Sequence, residues 1–253
     1  MRSLSGKIYF LSDCHFGVPS KEESAKREAK FIKLLDEIKR DADYIILLGD
    51  IFDYWFEYKS VVPKGYTRLM GKFAELSDQG IKFIYFTGNH DFWVRNYFSE
   101  EFGFEIIRKP ESFIINNKKV FIGHGDGLGP KDYSYKLMKA VFEAPFNRWW
   151  WARLHPNFSF WLAGKVSSHS RAANGDMDEV FHGEEREWLI QFARKKLETD
   201  YYDYFIFGHR HLPLTVELNE KSTYINTGEW IKSFSYAMTE GDKIVLKKYD
   251  VVL

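Results

Sequence analysis

Phe83-Ile84-Tyr85-Phe86-Thr87-Gly88-Asn89-His90-Asp91 decides the reading of this chain. Four consecutive bulky apolar residues read as a buried strand. Gly88 lets the chain turn sharply as the strand ends. Side chains able to hold a metal or touch a phosphate follow at once. The same order recurs elsewhere. Ile8-Tyr9-Phe10-Leu11 leads to Asp13-Cys14-His15, and Ile45-Ile46-Leu47-Leu48 to Gly49-Asp50. Val120-Phe121-Ile122 leads to Gly123-His124, and Phe205-Ile206-Phe207 to Gly208-His209-Arg210-His211. Polar groups at the carboxyl ends of several strands converge on one edge of a sheet, where open α/β sheets build their sites. A lone Asp-x-His or Gly-Asp is most often a plain turn or cap. All of these together, each at a strand end, are not.

The candidate ligands are Asp13, His15, Asp50, Asn89, His124, His209 and His211. Carboxylates, imidazoles and a carboxamide suit borderline divalent ions such as Mn, Fe, Zn or Co. No thiolate set of the structural-zinc kind exists. Asp50 offers two oxygens, so it could bridge two ions ~3.5–4 Å apart, the spacing of two-metal hydrolases.

The series Asp-x-His, Gly-Asp, Gly-Asn-His-Asp, Gly-His, Gly-His-x-His, running from Asp13 to His211, resembles the calcineurin-like metallophosphoesterases. That resemblance implies a four-layer αββα sandwich, an α/β fold, with a two-metal phosphohydrolase site. It implies that Asp13, His15, Asp50 and His211 hold one metal, and Asp50, Asn89, His124 and His209 the other. It implies a phosphate-contacting His90, oriented by Asp91, and it favours Mn²⁺ as the metal.

Length and composition are compatible. At 253 residues a single domain is expected, and 45% hydrophobic content is ordinary, while 18% aromatic content is high. Basic and acidic residues balance at 36 each, so overall charge predicts no polyanion partner and no nucleic acid. Cys14 is the one cysteine. It reads as a small buried hydrophobe rather than a ligand. No signal peptide opens the chain, and no apolar run approaches the ~20 residues of a membrane span. A reducing, cytoplasmic setting is the expectation.

Strands are expected at 7–12, 44–48 and 81–87, with helices at 21–40 and 64–79 between them. This βαβαβ start argues for layers of helices on a sheet. A hairpin through Asn116-Asn117 joins strands 111–116 and 118–123. Further strands at 203–207, 213–219, 222–227, 233–239 and 243–249 predict that the second half supplies the second sheet.

Residues 128–180 break the alternation. Their pattern is helical, interrupted at Pro145, Pro156 and Gly164, and predicts a cap inserted into the domain over the site. Between 131 and 171 seven basic residues face only two acidic ones, a net +5 in a chain of zero net charge. Phe142, Phe146, Trp149, Trp150, Trp151, Phe158, Phe160 and Trp161 are interleaved with them. Rings edged by cations suit a membrane interface or an amphiphilic ligand. Three consecutive tryptophans on a helix project over ~200° and cannot all face one core.

The segment from Gly123 to Asn174, with Gly49-Asp50-Ile51-Phe52-Asp53-Tyr54-Trp55, resembles the UDP-2,3-diacylglucosamine pyrophosphatases of lipid A synthesis. The implied substrate is a UDP-sugar carrying two acyl chains, met at the inner face of a membrane by a peripheral enzyme. Asn89, His90, Asp132, Tyr135, Ser170, Arg171 and Asn174 are the substrate contacts it implies. The enterobacterial type carries arginine where this chain has His90. The open alternatives are a phosphoesterase for another nucleotide or amphiphilic ester, a nuclease, and a non-catalytic scaffold.

Overall fold

Two rules place most of this chain: apolar runs of four or five residues pair as strands, and amphipathic segments between them cover the strands with helices. The computed structural model describes residues 1–129, 133–174 and 180–250. The strands are β1 (Arg2–Leu4), β2 (Ile8–Leu11), β3 (Tyr44–Leu47), β4 (Lys82–Phe86), β5 (Glu105–Ile107), β6 (Glu111–Ile115), β7 (Lys118–Ile122), β8 (Tyr204–Phe207), β9 (Leu214–Asn219), β10 (Ser222–Asn226), β11 (Ser235–Glu240) and β12 (Lys243–Lys248). The helices are α1 (Lys21–Ile38), α2 (Thr67–Asp78), α3 (Tyr97–Phe102), α4 (Tyr133–Glu143), α5 (Pro145–Trp151), α6 (Pro156–Asn174) and α7 (Trp188–Leu197).

Two six-stranded sheets form, ordered β12-β11-β2-β3-β4-β5 and β1-β6-β7-β8-β10-β9. β2 through β5 are parallel, as are β7, β8 and β10. The carboxyl ends of β2, β3, β4, β7 and β8 therefore carry the five motifs. Between the sheets lie Ile8, Phe10, Ile46, Ile84, Phe113, Val120, Ile206 and Ile225. The outer face of the first sheet presents Tyr9, Leu11, Ile45, Leu47, Phe83 and Tyr85 to Phe31, Leu34 and Leu35 of α1, Leu69 and Phe73 of α2 and Phe98 of α3. The outer face of the second packs Phe205, Phe207 and Tyr224 against Leu189, Ile190 and Ala193 of α7. The layers run helix, sheet, sheet, helix, so the expected αββα order is present.

The tail departs from expectation. β8, β9 and β10 join the second sheet, but β11 pairs antiparallel with β2, Ala237 opposite Phe10, and carries β12 with it. Alternation identifies these residues as strands without saying which sheet takes them. β1, a mostly exposed triplet, completes the second sheet beside β6. The expected helix at 64–79 begins at Thr67, because Tyr66 stands in the left-handed region at φ 57°. The Asn116-Asn117 turn is as expected, with φ 47° and 66°, the signs a type I′ hairpin needs.

The segment expected as a cap is helical from 133 to 174 across α4, α5 and α6. The run breaks at Pro145 and Pro156 as expected, each proline opening the next helix, as proline at a first turn does. Gly164 lies inside α6 and does not break it.

Candidate metal centre

The loops leaving β2 and β3 are zipped together beyond the strands. Asp13 donates its N–H to the Gly49 carbonyl at 3.1 Å, and His15 donates to the Asp50 carbonyl at 3.0 Å. Asp13, His15, Asp50, His209 and His211 all sit at positive φ, between 43° and 68°. Such a backbone costs a non-glycine residue of order 1–3 kcal/mol and gathers at functional sites. Here it turns five polar side chains back over the strand ends. The neighbouring glycines make room. A Cβ on Gly88 would collide with Asp50 Oδ1, and one on Gly208 with Asp13 Oδ2.

Among the described residues three groups of donors result: Asp13 with His15 and His211, Asp50 with His124 and His209, and, beside the predicted ligands, His15 with Asp53 and His90. In the first, His15 Nε2 and His211 Nε2 are 3.0 Å apart, and His211 Nε2 lies 3.3 Å from Asp13 Oδ1. In the second, His124 Nε2 lies 3.2 Å from His209 Nδ1, 3.0 Å from Asn89 Oδ1 and 3.4 Å from Asp50 Oδ2. Asp50 Oδ2 also lies 3.8 Å from His15 Nε2, so this one oxygen stands between the first two groups. All seven sequence-predicted ligands are thus brought together.

The donor set fits divalent cations. Each carboxylate uses one oxygen as a brace and keeps the other for the centre. Asp13 Oδ2 accepts from the His209 N–H at 2.9 Å, while buried Asp13 Oδ1 has no hydrogen-bond partner. Asp50 Oδ1 accepts from the His90 N–H at 2.8 Å, leaving Oδ2 inward. His124 Nδ1 is 2.8 Å from the Leu48 carbonyl, which fixes the tautomer and leaves Nε2 for a ligand bond. Ligand bonds of about 2.1 Å bring neighbouring donor atoms to about 3 Å, the spacing found here.

Burial and the neighbouring charges push the imidazoles of the cluster in opposite directions. Burial drives the His15 imidazole down, but hydrogen bonds to Asp13 and Asp53 and the charge on Asp50 outweigh it, lifting it to about 10. Burial acts on His124 the same way and Asp50 again wins, to about 10. Burial and the charge of His124 hold His209 down to about 4.

Around the centre the sequence reading needs correction. Asp91 does not orient His90. Its Oδ2 accepts from the Ile51 N–H at 2.8 Å and the Tyr85 hydroxyl at 2.6 Å, and its Oδ1 from the Gly88 N–H at 2.8 Å. Burial, with the charge of Asp50, pushes this carboxyl up to about 6. It fastens the loops of β3 and β4 to each other. The group beside the His90 ring is Asp53, with its carbonyl 3.0 Å and its Oδ1 3.5 Å from Nδ1. The signals for Asp53 were a second carboxylate three residues after Asp50 and its place in the stretch Gly49 to Trp55 that carries the family resemblance. Of the expected substrate contacts, Asn89 and His90 are in the centre. Tyr135 lies on α4, and Ser170, Arg171 and Asn174 on α6, with their side chains outside the described residues. Asp132 lies outside the described residues altogether.

The cap sits on this centre through loops of the same strands. The Trp151 indole donates to the Tyr54 hydroxyl at 2.8 Å, and the Trp93 indole to the Phe142 carbonyl at 3.1 Å. Lys139 of α4 pairs with Asp126 at 2.6 Å, just past His124. Ser167 of α6 donates to Asp53 Oδ2 at 3.0 Å. The outer face of the cap exposes Phe146 by 71%, Trp149 and Trp150 by 52% each, and Trp161 by 57%. The Arg153 guanidinium lies 4.6 Å from the Trp149 ring.

An αββα sandwich with carboxylates, imidazoles and a carboxamide gathered at its strand ends defines a metal-dependent phosphohydrolase. The chain belongs to the calcineurin-like phosphoesterase family, whose profile matches residues 6–213. It is 34% identical to the UDP-2,3-diacylglucosamine hydrolase of Porphyromonas gingivalis, over 98% of this chain and 99% of that one. It is 24% identical to the enzyme of the same name from Haemophilus influenzae, over 90% and 92% of the two chains. Yfce, a solved phosphoesterase from E. coli, overlies it with a TM-score of 0.45 at 15% identity, covering 94% and 90%. Divalent metal ions belong to the family. Among the described residues no helix is long and apolar enough to cross a membrane.

Proposed function

We propose that this chain hydrolyses the pyrophosphate of UDP-2,3-diacylglucosamine, giving UMP and 2,3-diacylglucosamine 1-phosphate in lipid A synthesis. The observation that carries this is the cap. Its inner side chains rest on the loops of the metal centre, while its outer face exposes aromatic rings edged by basic residues. Near-full-length similarity to a relative of that name supports the same substrate. The domain is single, residues 1–253, with 128–180 as the cap.

Asp13, His15, His211 and Asp50 would hold one ion, and Asp50, Asn89, His124 and His209 the other, with Mn²⁺ as the expected metal. Such ions, when bound, neutralise phosphoryl charge and make water acidic enough to attack near neutral pH. His90 is the acid. Its Nδ1 is held against Asp53, which leaves Nε2 as the ring atom available to substrate. It would stabilise charge on the phosphoryl oxygen or give a proton to the departing sugar phosphate. Water attacks the uridine-side phosphorus, the bond to the bridging oxygen breaks, and two monophosphates leave. Tyr135, Ser170, Arg171, Asn174 and Asp132 would line the sugar and nucleotide. The exposed aromatic rim would place the enzyme peripherally on the cytoplasmic face of the inner membrane, where such a lipid lies.

A second reading follows from His90 in place of the arginine of the enterobacterial type: a phosphoesterase for another amphiphilic nucleotide. Mass spectrometry in ¹⁸O water separates the two. Offered UDP-2,3-diacylglucosamine and Mn²⁺, the protein should yield ¹⁸O-labelled UMP and unlabelled lipid 1-phosphate. Turnover of bis(p-nitrophenyl) phosphate with no attack on the lipid nucleotide would overturn the substrate.

A further inference from the structure

Most polar contacts between cap and core land on side chains that flank the centre, such as Tyr54, Trp93 and Asp126. Among the described residues, one lands on the machinery. Ser167, buried at 8% exposure on α6, donates through Oγ to Asp53 Oδ2 at 3.0 Å and lies 3.4 Å from His90 Nδ1. The other oxygen of Asp53, Oδ1, lies 3.5 Å from both His90 Nδ1 and His15 Nδ1. The carboxylate therefore has one oxygen on the cap and the other between two imidazoles of the centre.

We infer that Ser167 is a positioning residue through which the docked cap sets the Asp53–His90 pair. The inference rests on the proposed role of His90. An aspartate carboxyl rotates broadly about its last torsion. A hydroxyl fixed to Oδ2 selects the plane in which Oδ1 meets the His90 ring. Asp53 lies in a loop, but Ser167 is carried by a 19-residue helix. Cap placement and catalytic geometry are then one variable. A hydrogen bond to a charged group, used to orient rather than to bind, should appear in kcat and leave KM alone.

The test compares Ser167→Ala and Ser167→Thr in the full-length, metal-loaded enzyme, each alone and combined with His90→Ala. Turnover is read on both the lipid nucleotide and bis(p-nitrophenyl) phosphate. Ser167→Ala should lower kcat on the order of 10-fold at unchanged KM and metal content. Threonine, which keeps the hydroxyl, should restore most of the rate. In the His90→Ala background Ser167→Ala should cost nothing further, because coupled residues are not additive. ¹⁵N-histidine NMR of the Zn²⁺-loaded protein needs no turnover. There the His90 ring resonances should move in Ser167→Ala while those of exposed His155 and His182 stay. Additive losses, a wild-type rate, or unmoved His90 resonances would each overturn the inference. Loss of lipid turnover alone in the wild type rejects the substrate reading, and the cycle is then read on the small diester.

Discussion

His90 Nδ1 lies 3.0 Å from the backbone carbonyl of Asp53 and 3.5 Å from its carboxylate, so two atoms of one residue aim the ring. Asp91, the neighbour in sequence, holds backbone instead. The two carboxylates should therefore fail differently. Asp53→Asn keeps the carbonyl contact and loses the charge, so kcat should fall about 10–10²-fold with metal content unchanged, the range of an orienting group. Asp91→Asn sets an amide among three buried donors, and one lost acceptor costs about 1–3 kcal/mol. In a chain of this length each kcal/mol is about 2–4 °C of Tm. Calorimetry beside steady-state rates separates them. A stable, slow Asp91→Asn would reverse the assignment.

Asp50 Oδ2 stands between the two groups of predicted ligands, 3.4 Å from His124 Nε2 and 3.8 Å from His15 Nε2. Asp50→Ala should abolish turnover of both substrates and lower bound metal measured by elemental analysis. His211→Ala removes a donor of one group and should leave weaker binding and partial activity on added Mn²⁺. Chelation should silence the wild type and Mn²⁺ should restore it. Near-native activity in Asp50→Ala ends the two-metal proposal.

His90→Ala should lower kcat on the order of 10²–10³, the effect of losing one donor to transition-state charge. Metal content should hold, since the ring is not among the seven donors. His90→Arg should recover part of the rate by placing a cation where the enterobacterial type has one. An unaffected His90→Ala removes this residue from the chemistry.

What was legible followed from local pattern. β2, β3, β4, β7 and β8 announce themselves as apolar runs that stop at a glycine or a ligand, so the metal donors were legible too. Contacts across distance were not. β11 meets β2 through Ala237 and Phe10, 227 positions apart, and alternation carries no partner label. Asp53 and Ser167 lie 114 residues apart, and nothing local marks either as facing the other. β1 and β5 are triplets, too short to show a period. The left-handed backbones of five ligands belong to the assembled loops, since histidine and aspartate do not demand them.

Arg210 stands between the ligands His209 and His211 and donates to both carboxylate oxygens of Glu187 at 2.7–3.2 Å, with both residues buried. Breaking one side of a buried pair costs about 3–5 kcal/mol. Glu187→Ala should therefore lower Tm by roughly 10 °C and weaken metal binding through the loop. Replacing both residues by apolar ones should recover stability but not metal affinity, because the loop loses its anchor. Equal recovery of the two would make the pair a matter of stability alone.

The cap tryptophans make the last test. Trp151 turns inward, its indole on Tyr54 and its ring 5.1 Å from Trp93. Trp149 and Trp150 turn outward, half-exposed, with Phe146 stacked on Trp149. This division separates grip from architecture. Trp149→Glu and Trp150→Glu remove apolar surface from the rim and add charge where lipid would lie. Each buried methylene of an acyl chain contributes roughly 0.8 kcal/mol, so losing contact with two of them on each chain is worth a tenfold or greater rise in KM. Both variants should also release from phosphatidylglycerol vesicles in flotation. They should hydrolyse bis(p-nitrophenyl) phosphate at the wild-type rate, since that ester needs the metal centre and not the rim. Trp151→Ala should instead lower both activities, because it loosens the seat of the cap over Tyr54. If the outward variants keep their KM for the lipid and stay on the vesicles, the rim plays no part in lipid recognition and the substrate is a soluble ester.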